Sequence, residues 1–157
     1  MVDRPPPFQA FFDEHRAGVM AFLRAAVGPD EADDCFQETF IAALRAYPRL
    51  RDGRNLRGWV LKIAQRKAID LHRARRSNAP MPMPVEERPE EPRAGGEEMA
   101  GLWLAARALP PKQRVAVAHR FVADLPYRDI ARLMDSSEAA ARRNVHEGLK
   151  RMRKELE

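Results

Sequence analysis

Asp30-Glu31-Ala32-Asp33-Asp34-Cys35-Phe36-Gln37-Glu38-Thr39-Phe40 opens a segment, residues 30–76, whose charge changes sign along its length. The segment ends in the basic run Arg66-Lys67-Ala68-Ile69-Asp70-Leu71-His72-Arg73-Ala74-Arg75-Arg76. A helix is predicted to start at Asp30, because the helix dipole favours acidic side chains in the first turn. An acidic surface and a basic surface on one small unit indicate two different partners.

Apolar residues recur at helical spacing on both sides of this opening, and strand signals are nearly absent. Gly28-Pro29 ends a first helix, and Pro48 ends the second near Tyr47. A loop is predicted at 49–56, followed by a third helix from about Leu56 to Arg76. Three apolar faces are predicted, one for each helix. They are Phe8, Phe11, Phe12, His15, Val19, Phe22 and Leu23, then Cys35, Phe36, Thr39, Phe40, Ala43 and Leu44, then Trp59, Val60, Ile63, the Lys67 stem, Ile69 and Leu71.

Residues 77–98 differ in composition from both flanks. They contain five prolines, six acidic residues and Gly95-Gly96, with too few apolar residues for a core. We therefore predict an all-α fold of two small helical domains, residues 1–76 and 99–157, joined by a flexible acidic linker at 77–98.

Four short helices are predicted in the C-terminal domain, with breaks at Pro110-Pro111, Pro126 and Asp135-Ser136-Ser137. Asp135 or Ser136 is the expected N-cap of the last helix. That helix turns one apolar stripe inward and presents a polar face, and with the helix before it forms a helix-turn-helix pattern. The stripe is Ala141, Val145, Leu149, Met152 and Leu156, and the polar face is Arg142, Arg143, Asn144, His146, Glu147 and Lys150.

Arginine can read guanine and asparagine can read adenine in a major groove, so the polar face suits DNA. Ser136 and Ser137, at the helix start, could donate to a phosphate. An ordinary helical hairpin with a charged face fits the same pattern.

Charge is distributed in blocks along the chain. Net charge is +5 overall, with −5 in residues 1–44, +9 in 45–76, −4 in 77–98 and +5 in 99–157. Two basic blocks fit a polyanion held at two places, although solvated arginine-rich helices are the plain alternative. One cysteine, no apolar run near the roughly 20 residues that span a bilayer, and no signal-like start predict a cytoplasmic protein without membrane insertion.

Enzyme chemistry is not indicated. The four histidines, His15, His72, His119 and His146, show no metal-ligand spacing, and no phosphate-binding loop or nucleophile motif is present. We expect no catalytic residue, no metal and no cofactor, and we expect surface or interfacial histidines. Cys35 lies on a predicted buried stripe, where it acts as a small apolar residue, with redox sensing as the minor alternative.

Three sets of motifs resemble the extracytoplasmic-function (ECF) type of bacterial sigma factor, in the sigma-70 family. Residues 32–40 resemble the start of region two, and Arg57-Gly58-Trp59-Val60-Leu61-Lys62-Ile63-Ala64 with Ala68-Ile69-Asp70 resembles its promoter-facing helix. Leu109-Pro110-Pro111-Lys112-Gln113-Arg114, Tyr127-Arg128-Asp129-Ile130-Ala131 and Ser137-Glu138 resemble region four. The order and spacing of the motifs are more specific than any one of them.

The resemblance implies a promoter-specificity subunit that binds core RNA polymerase and promoter DNA and is held by an anti-sigma factor. It assigns polymerase binding to Asp34, Gln37 and Glu38. It assigns the minus-ten element to Asp52, Arg54, Asn55, Arg57, Trp59, Lys62, Arg66, Lys67, Arg73, Arg75 and Arg76, and the minus-thirty-five element to Ser137, Arg142, Arg143, Asn144, His146 and Lys150. Trp59 also has the spacing of a core residue.

The chain departs from the family pattern at Arg66, where an asparagine is common, and at Ala139-Ala140-Ala141, where Gly-Thr-Val is common. These changes leave the architecture intact and the preferred bases open. The other function class is a stand-alone helix-turn-helix regulator with an N-terminal protein-interaction domain. A second basic helix in the N-terminal domain argues against it.

Overall fold

The computed structural model describes residues 3–77 and 104–156, and the side chains of residues 3–75 and 104–156. All regular structure in these residues is helical, which confirms the all-α prediction. Nearly all of the predicted linker, and the start of the first C-terminal helix, lie outside the described residues. The helices are α1 (Phe8–Val27), α2 (Pro29–Ala46), a 3₁₀ turn (Tyr47–Arg49), α3 (Leu56–Ser77), α4 (Pro111–Val117), a π-helical segment (Ala118–Val122), α5 (Tyr127–Leu133) and α6 (Glu138–Leu156).

The break between α1 and α2 forms where the sequence predicts it. Gly28 adopts φ +89°, a backbone conformation that side-chain-bearing residues rarely reach, and its N–H donates to the Arg24 carbonyl at 3.0 Å. Pro29 occupies the first turn of α2, where its missing N–H costs no hydrogen bond. The two helices therefore fold back on each other with no intervening loop.

Aromatic side chains fill the core between α1, α2 and α3. Phe11 is fully buried and lies 6.1 Å from Phe40 and 5.7 Å from Trp59, between ring centroids. On α3 the buried residues include Val60, Leu61, Ala64 and Ala68. Rings at these separations add attraction beyond the area they bury, so the three helices hold a fixed arrangement.

The start of α6 differs from the prediction. Ser137, rather than Asp135 or Ser136, is the N-cap, because its Oγ accepts the Ala140 N–H at 3.0 Å. Asp135 instead takes a left-handed conformation with φ 50° in the turn before it. This turn joins α5 to α6 and sets the entry angle of the helix-turn-helix.

The two helical units are in direct contact. A single cluster of buried apolar residues runs from α1 and α3 into α4 and α5, with Phe22, Val60, Val115 and Ile130 among its members. A smaller cluster of Ala105, Leu109 and Met152 joins the helical residues 104–107 to the end of α6. No helix of the described residues is long and apolar enough to cross a membrane.

Candidate polymerase and nucleic-acid interfaces

The acidic face of α2 points away from the core. Asp34, Gln37 and Glu38 are all exposed on consecutive turns of one helix side. Ile41 and Leu44 continue the same side and are 50% and 54% exposed. Leu44 was expected on the buried stripe and that prediction is wrong, because Ala43 fills the α2 position against the core.

Cys35 lies on the opposite side of α2 and is buried, as predicted. Burial, assisted by Glu38 and other carboxylates nearby, raises the pKa of its thiol to about 11. The thiol therefore stays protonated at neutral pH, which is unfavourable for a redox sensor because the thiolate is the reactive form.

The loop before α3 is ordered by local polar contacts. The Asp52 carboxylate accepts hydrogen bonds from the Arg54 backbone N–H at 3.0 Å and from its guanidinium at 2.7–3.0 Å. These bonds hold the pKa of Asp52 below its ordinary value. Gly53 donates to the Asp3 carbonyl at 2.7 Å, which ties the loop to the N-terminal segment.

Two predicted minus-ten residues have structural roles. The Asn55 Oδ1 accepts the Gly58 N–H at 3.1 Å and so caps α3. A Cβ atom on Gly58 would lie 2.6 Å from the Asn55 Nδ2, so glycine allows this cap. Trp59 is half-buried among Phe11 and Tyr47, as its core spacing indicates.

The basic side chains of α3 differ in their exposure and in what they contact. Arg66 and Arg73 are exposed, and Lys67 is half-buried. Arg75 pairs with Glu31 of α2, while the Arg76 side chain lies outside the described residues. Arg57 and Lys62 contact the C-terminal unit, through the Ala123 carbonyl and, at 3.6 Å, the Asp135 carboxylate.

The polar face of α6 is open to solvent. Arg143, His146 and Lys150 are exposed, and Ser137 retains its hydroxyl proton for donation although its oxygen caps the helix. Arg142 instead pairs with Glu138 at 3.3 Å and lies over the Tyr127 ring at 5.0 Å. Arg142 is thus held by neighbouring side chains, while Arg143 is exposed.

A cleft of about 480 Å³ separates α3 from α4 and α6. One residue of each predicted DNA-binding group lines it, Arg73 from α3 and the half-buried Asn144 from α6, and Lys112 adds a second cation. The structure thereby brings together two groups that the sequence assigns to separate promoter elements. Among residues 3–77 and 104–156, no group of three or more His, Cys, Asp or Glu side chains could hold a metal ion.

Family models match both units. The model of sigma-70 region 2 matches residues 11–78, and that of sigma-70 region 4 matches residues 100–152. The ECF RNA polymerase sigma factor SigD of Mycobacterium tuberculosis is 33% identical over 153 residues, covering 88% of this chain and 71% of SigD. The ECF RNA polymerase sigma factor SigX of Bacillus subtilis is 24% identical over 162 residues, covering 96% and 84%.

Solved structures share the fold. The sigma factor RpoE from Bartonella quintana, in complex with the anti-sigma factor NepR, matches with a TM-score of 0.80 at 19% identity, over 95% of this chain and 96% of that one. CnrH in complex with the cytosolic domain of CnrY matches with a TM-score of 0.70 at 19% identity, over 95% and 86%.

Proposed function

The chain belongs to the ECF group of sigma-70 factors, and we propose that it directs core RNA polymerase to promoters whose minus-ten and minus-thirty-five elements its two units read separately. The observation that carries this proposal is the exposed row of acidic and apolar side chains on α2, on a different helix from the basic residues of α3 and α6. One chain thus offers a protein-binding face and two DNA-binding faces.

The α2 row, defined as Asp34, Gln37, Glu38, Ile41 and Leu44, suits docking on a basic, partly apolar protein surface. Carboxylates form strong hydrogen bonds with arginine, and exposed apolar side chains gain free energy when a partner covers them. We assign this row to the clamp of the polymerase. Ile41 and Leu44 extend the site beyond the three residues that the sequence motif indicates.

The loop at 50–55 and α3 would hold the opened minus-ten strand. A base that leaves the stack is read through hydrogen bonds, and the Asp52–Arg54 pair supplies donors and acceptors that are held in place by their mutual contact. Arg66 and Arg73 are exposed for backbone phosphates. Trp59 supports the aromatic core in this proposal and does not stack on a base.

The α6 polar face would read the minus-thirty-five element in the major groove. Arg143 is suited to a base edge, with Ser137 and Lys150 as phosphate contacts. The Arg142–Tyr127–Glu138 contacts hold α6 against α5 and would position the reader.

An anti-sigma factor is the second protein partner that we propose. One structural neighbour is a sigma factor bound to the anti-sigma factor NepR, and another is CnrH bound to the cytosolic domain of CnrY. Any partner that covers the α2 row would exclude the polymerase from it.

Run-off transcription with purified core polymerase across a promoter library tests the function. We expect specific initiation only when the protein is added, and we expect the selected promoters to share two elements. Specific duplex binding by the full chain alone, with no binding to core polymerase, would instead show a stand-alone regulator.

A further inference from the structure

Residues 3–7, called the N-terminal strap below, precede α1 and lie against the loop before α3. The Asp3 carbonyl accepts the Gly53 N–H at 2.7 Å, and the Pro6 carbonyl accepts the Tyr47 hydroxyl. Tyr47 belongs to the 3₁₀ turn that precedes the loop, and Gly53 lies within the loop itself. The strap therefore holds the loop at two separate points.

The close approach of the strap explains why position 53 is a glycine. The φ angle of Gly53 is not positive, so its backbone conformation is open to other residues. A Cβ atom on Gly53 would lie 3.0 Å from the Pro5 Cα and 3.3 Å from the Arg4 carbonyl carbon, which are both backbone atoms. Contacts that tight are rare, so any larger residue at position 53 would move the strap by a few tenths of an ångström.

The strap is stiff because it contains the run Pro5-Pro6-Pro7. Each proline ring holds φ at about −65°, and Pro7, with φ −54° and ψ 146°, is in the polyproline II conformation. Proline also restricts the unfolded chain, so that less conformational entropy is lost when the strap is ordered. The Pro7 carbonyl accepts the Phe11 N–H at 3.2 Å, in the first turn of α1. The strap therefore connects a helix of the aromatic core to the loop.

The loop carries the pair of side chains that we assign to base recognition. Gly53, which donates to the strap, stands between Asp52 and Arg54, whose side chains bond to each other. The hydrogen bond to Asp52, with the charges of Asp52 and Asp3, raises the pKa of Arg54 above its ordinary value, so the strap also acts on the pair electrostatically. The loop has no regular structure of its own. A binding group must be held within about 0.5 Å of its productive position, so this loop depends on outside contacts for its geometry.

We propose that the N-terminal strap is a positioning element for minus-ten recognition, which fixes the Asp52–Arg54 pair through Gly53 and Tyr47 and thereby sets how strictly the protein discriminates between bases. The proposal rests on the minus-ten role proposed for the loop. The strap acts through the loop and makes no base contact of its own in this role.

Run-off transcription with core polymerase tests the strap, on templates that differ at one minus-ten position at a time. The quantity measured is the ratio of initiation rates on the preferred base and on the next best. Gly53→Ala pushes the strap away with its Cβ atom. Tyr47→Phe removes the hydroxyl that donates to Pro6 and keeps the ring, whose centroid lies 5.2 Å from those of Phe8 and Phe11.

We expect the ratio to fall about threefold in each of these variants, because a base reader that is held more loosely loses part of its discrimination. The fall should be larger in the double variant, which releases the loop at both points. A variant that only folds less well lowers the rates on all templates equally and leaves the ratio unchanged. The ratio therefore separates positioning from a loss of stability.

Gly18→Ala is the matched control for the glycine substitution. Gly18 is exposed on α1 of the same unit, and no atom outside its own helix turn lies within 4 Å of the Cβ position. The ratio should equal that of the native chain. Binding to core polymerase should be the same in all these variants, since none of them changes the α2 row.

Arg54→Ala separates failure of the strap from failure of the proposed function. It should lower the ratio, and adding Tyr47→Phe to it should change the ratio little further, because both substitutions act through one contact. A lowered ratio in Arg54→Ala, with unchanged ratios in Gly53→Ala and Tyr47→Phe, would overturn the strap and leave the proposed function standing. Unchanged ratios in all three variants would show that the loop does not read the minus-ten element, and both proposals would fail.

Discussion

The α2 row and the side of α3 that we propose faces the promoter differ in what covers them. The α2 row is exposed along three turns, including two large apolar side chains. On α3, Arg57, Lys62 and Gln65 already contact the C-terminal unit. Both faces are chemically suited to partners, but the open face is ready for docking while the covered face requires a rearrangement first. The difference predicts an order of events, polymerase binding before promoter binding.

Charge reversal of the open face should have the largest effect. In Asp34→Lys with Glu38→Lys, two exposed carboxylates become cations facing a basic partner, and like charges in contact cost several kcal/mol. We expect affinity for core polymerase to fall about 100-fold, or about 3 kcal/mol, by fluorescence anisotropy. Asp13→Lys with Glu14→Lys makes the same charge change at exposed positions of α1 and should leave affinity within about twofold. Equal losses in the two variants would mean that net charge, and not the α2 row, controls docking.

Lowering the pH should open the covered face. The ring of His119 is stacked on Phe22 and bonded to Gln65 of the N-terminal unit. Burial in this contact lowers the pKa of His119 from its ordinary 6.5 to about 3, so the chain with its units in contact binds fewer protons than one with its units apart. The stability of the contact is therefore present above about pH 6.5 and is lost progressively as the pH falls toward 3. Between pH 7 and 5 the loss is about 2 kcal/mol. Solution X-ray scattering should show expansion over this range in the native chain.

The groups that face His119 support this assignment. Phe22 and Gln65 do not titrate, and Arg114 remains charged throughout the range. His15 on α1 also has a pKa lowered mainly by burial, so it would act in the same direction. His119→Gln removes the titrating ring and keeps a donor, so its expansion should depend less on pH. An equal pH response in that variant would assign the effect to other groups.

Removing the apolar part of the α2 row should have a smaller effect than reversing its charges. Ile41→Ser with Leu44→Ser removes two side chains that are about half exposed in the free chain. We expect the free energy of binding to core polymerase to weaken by about 1–2 kcal/mol, since only the exposed area of these side chains is left for a partner to bury. The thermal unfolding midpoint should barely change, which calorimetry can check. A large drop in this midpoint would mean that the two side chains belong to the core.

The sequence predicted the elements better than the contacts between them. Gly28-Pro29 and Pro48 constrain the backbone locally, so the bounds of α1 and α2 could be read from residue identity. Leu44 was misassigned because helical periodicity does not say which edge of an apolar stripe faces solvent. The burial of His119 depends on Phe22 and Gln65, which are distant in the chain and carry no local signal. Asp34, Gln37, Glu38 and the basic side chains could be proposed as sites from the sequence because charge and family motifs are local, whereas the exposure of Ile41 and Leu44 is visible only in the structure.

The smallest predicted effect lies in the unit that covers α3. Ser137→Ala removes the N-cap of α6, because the Oγ that accepts the Ala140 N–H is lost. The loss of an N-cap costs about 1 kcal/mol. The free energy of unfolding of the C-terminal unit, measured in urea, should therefore fall by about that amount. Ser136→Ala, at the exposed neighbouring position, should stay within about 0.5 kcal/mol. Because the α2 row is on the other unit, both variants should bind core polymerase equally well, and unequal binding would mean that docking depends on the covering unit as well as on the open face.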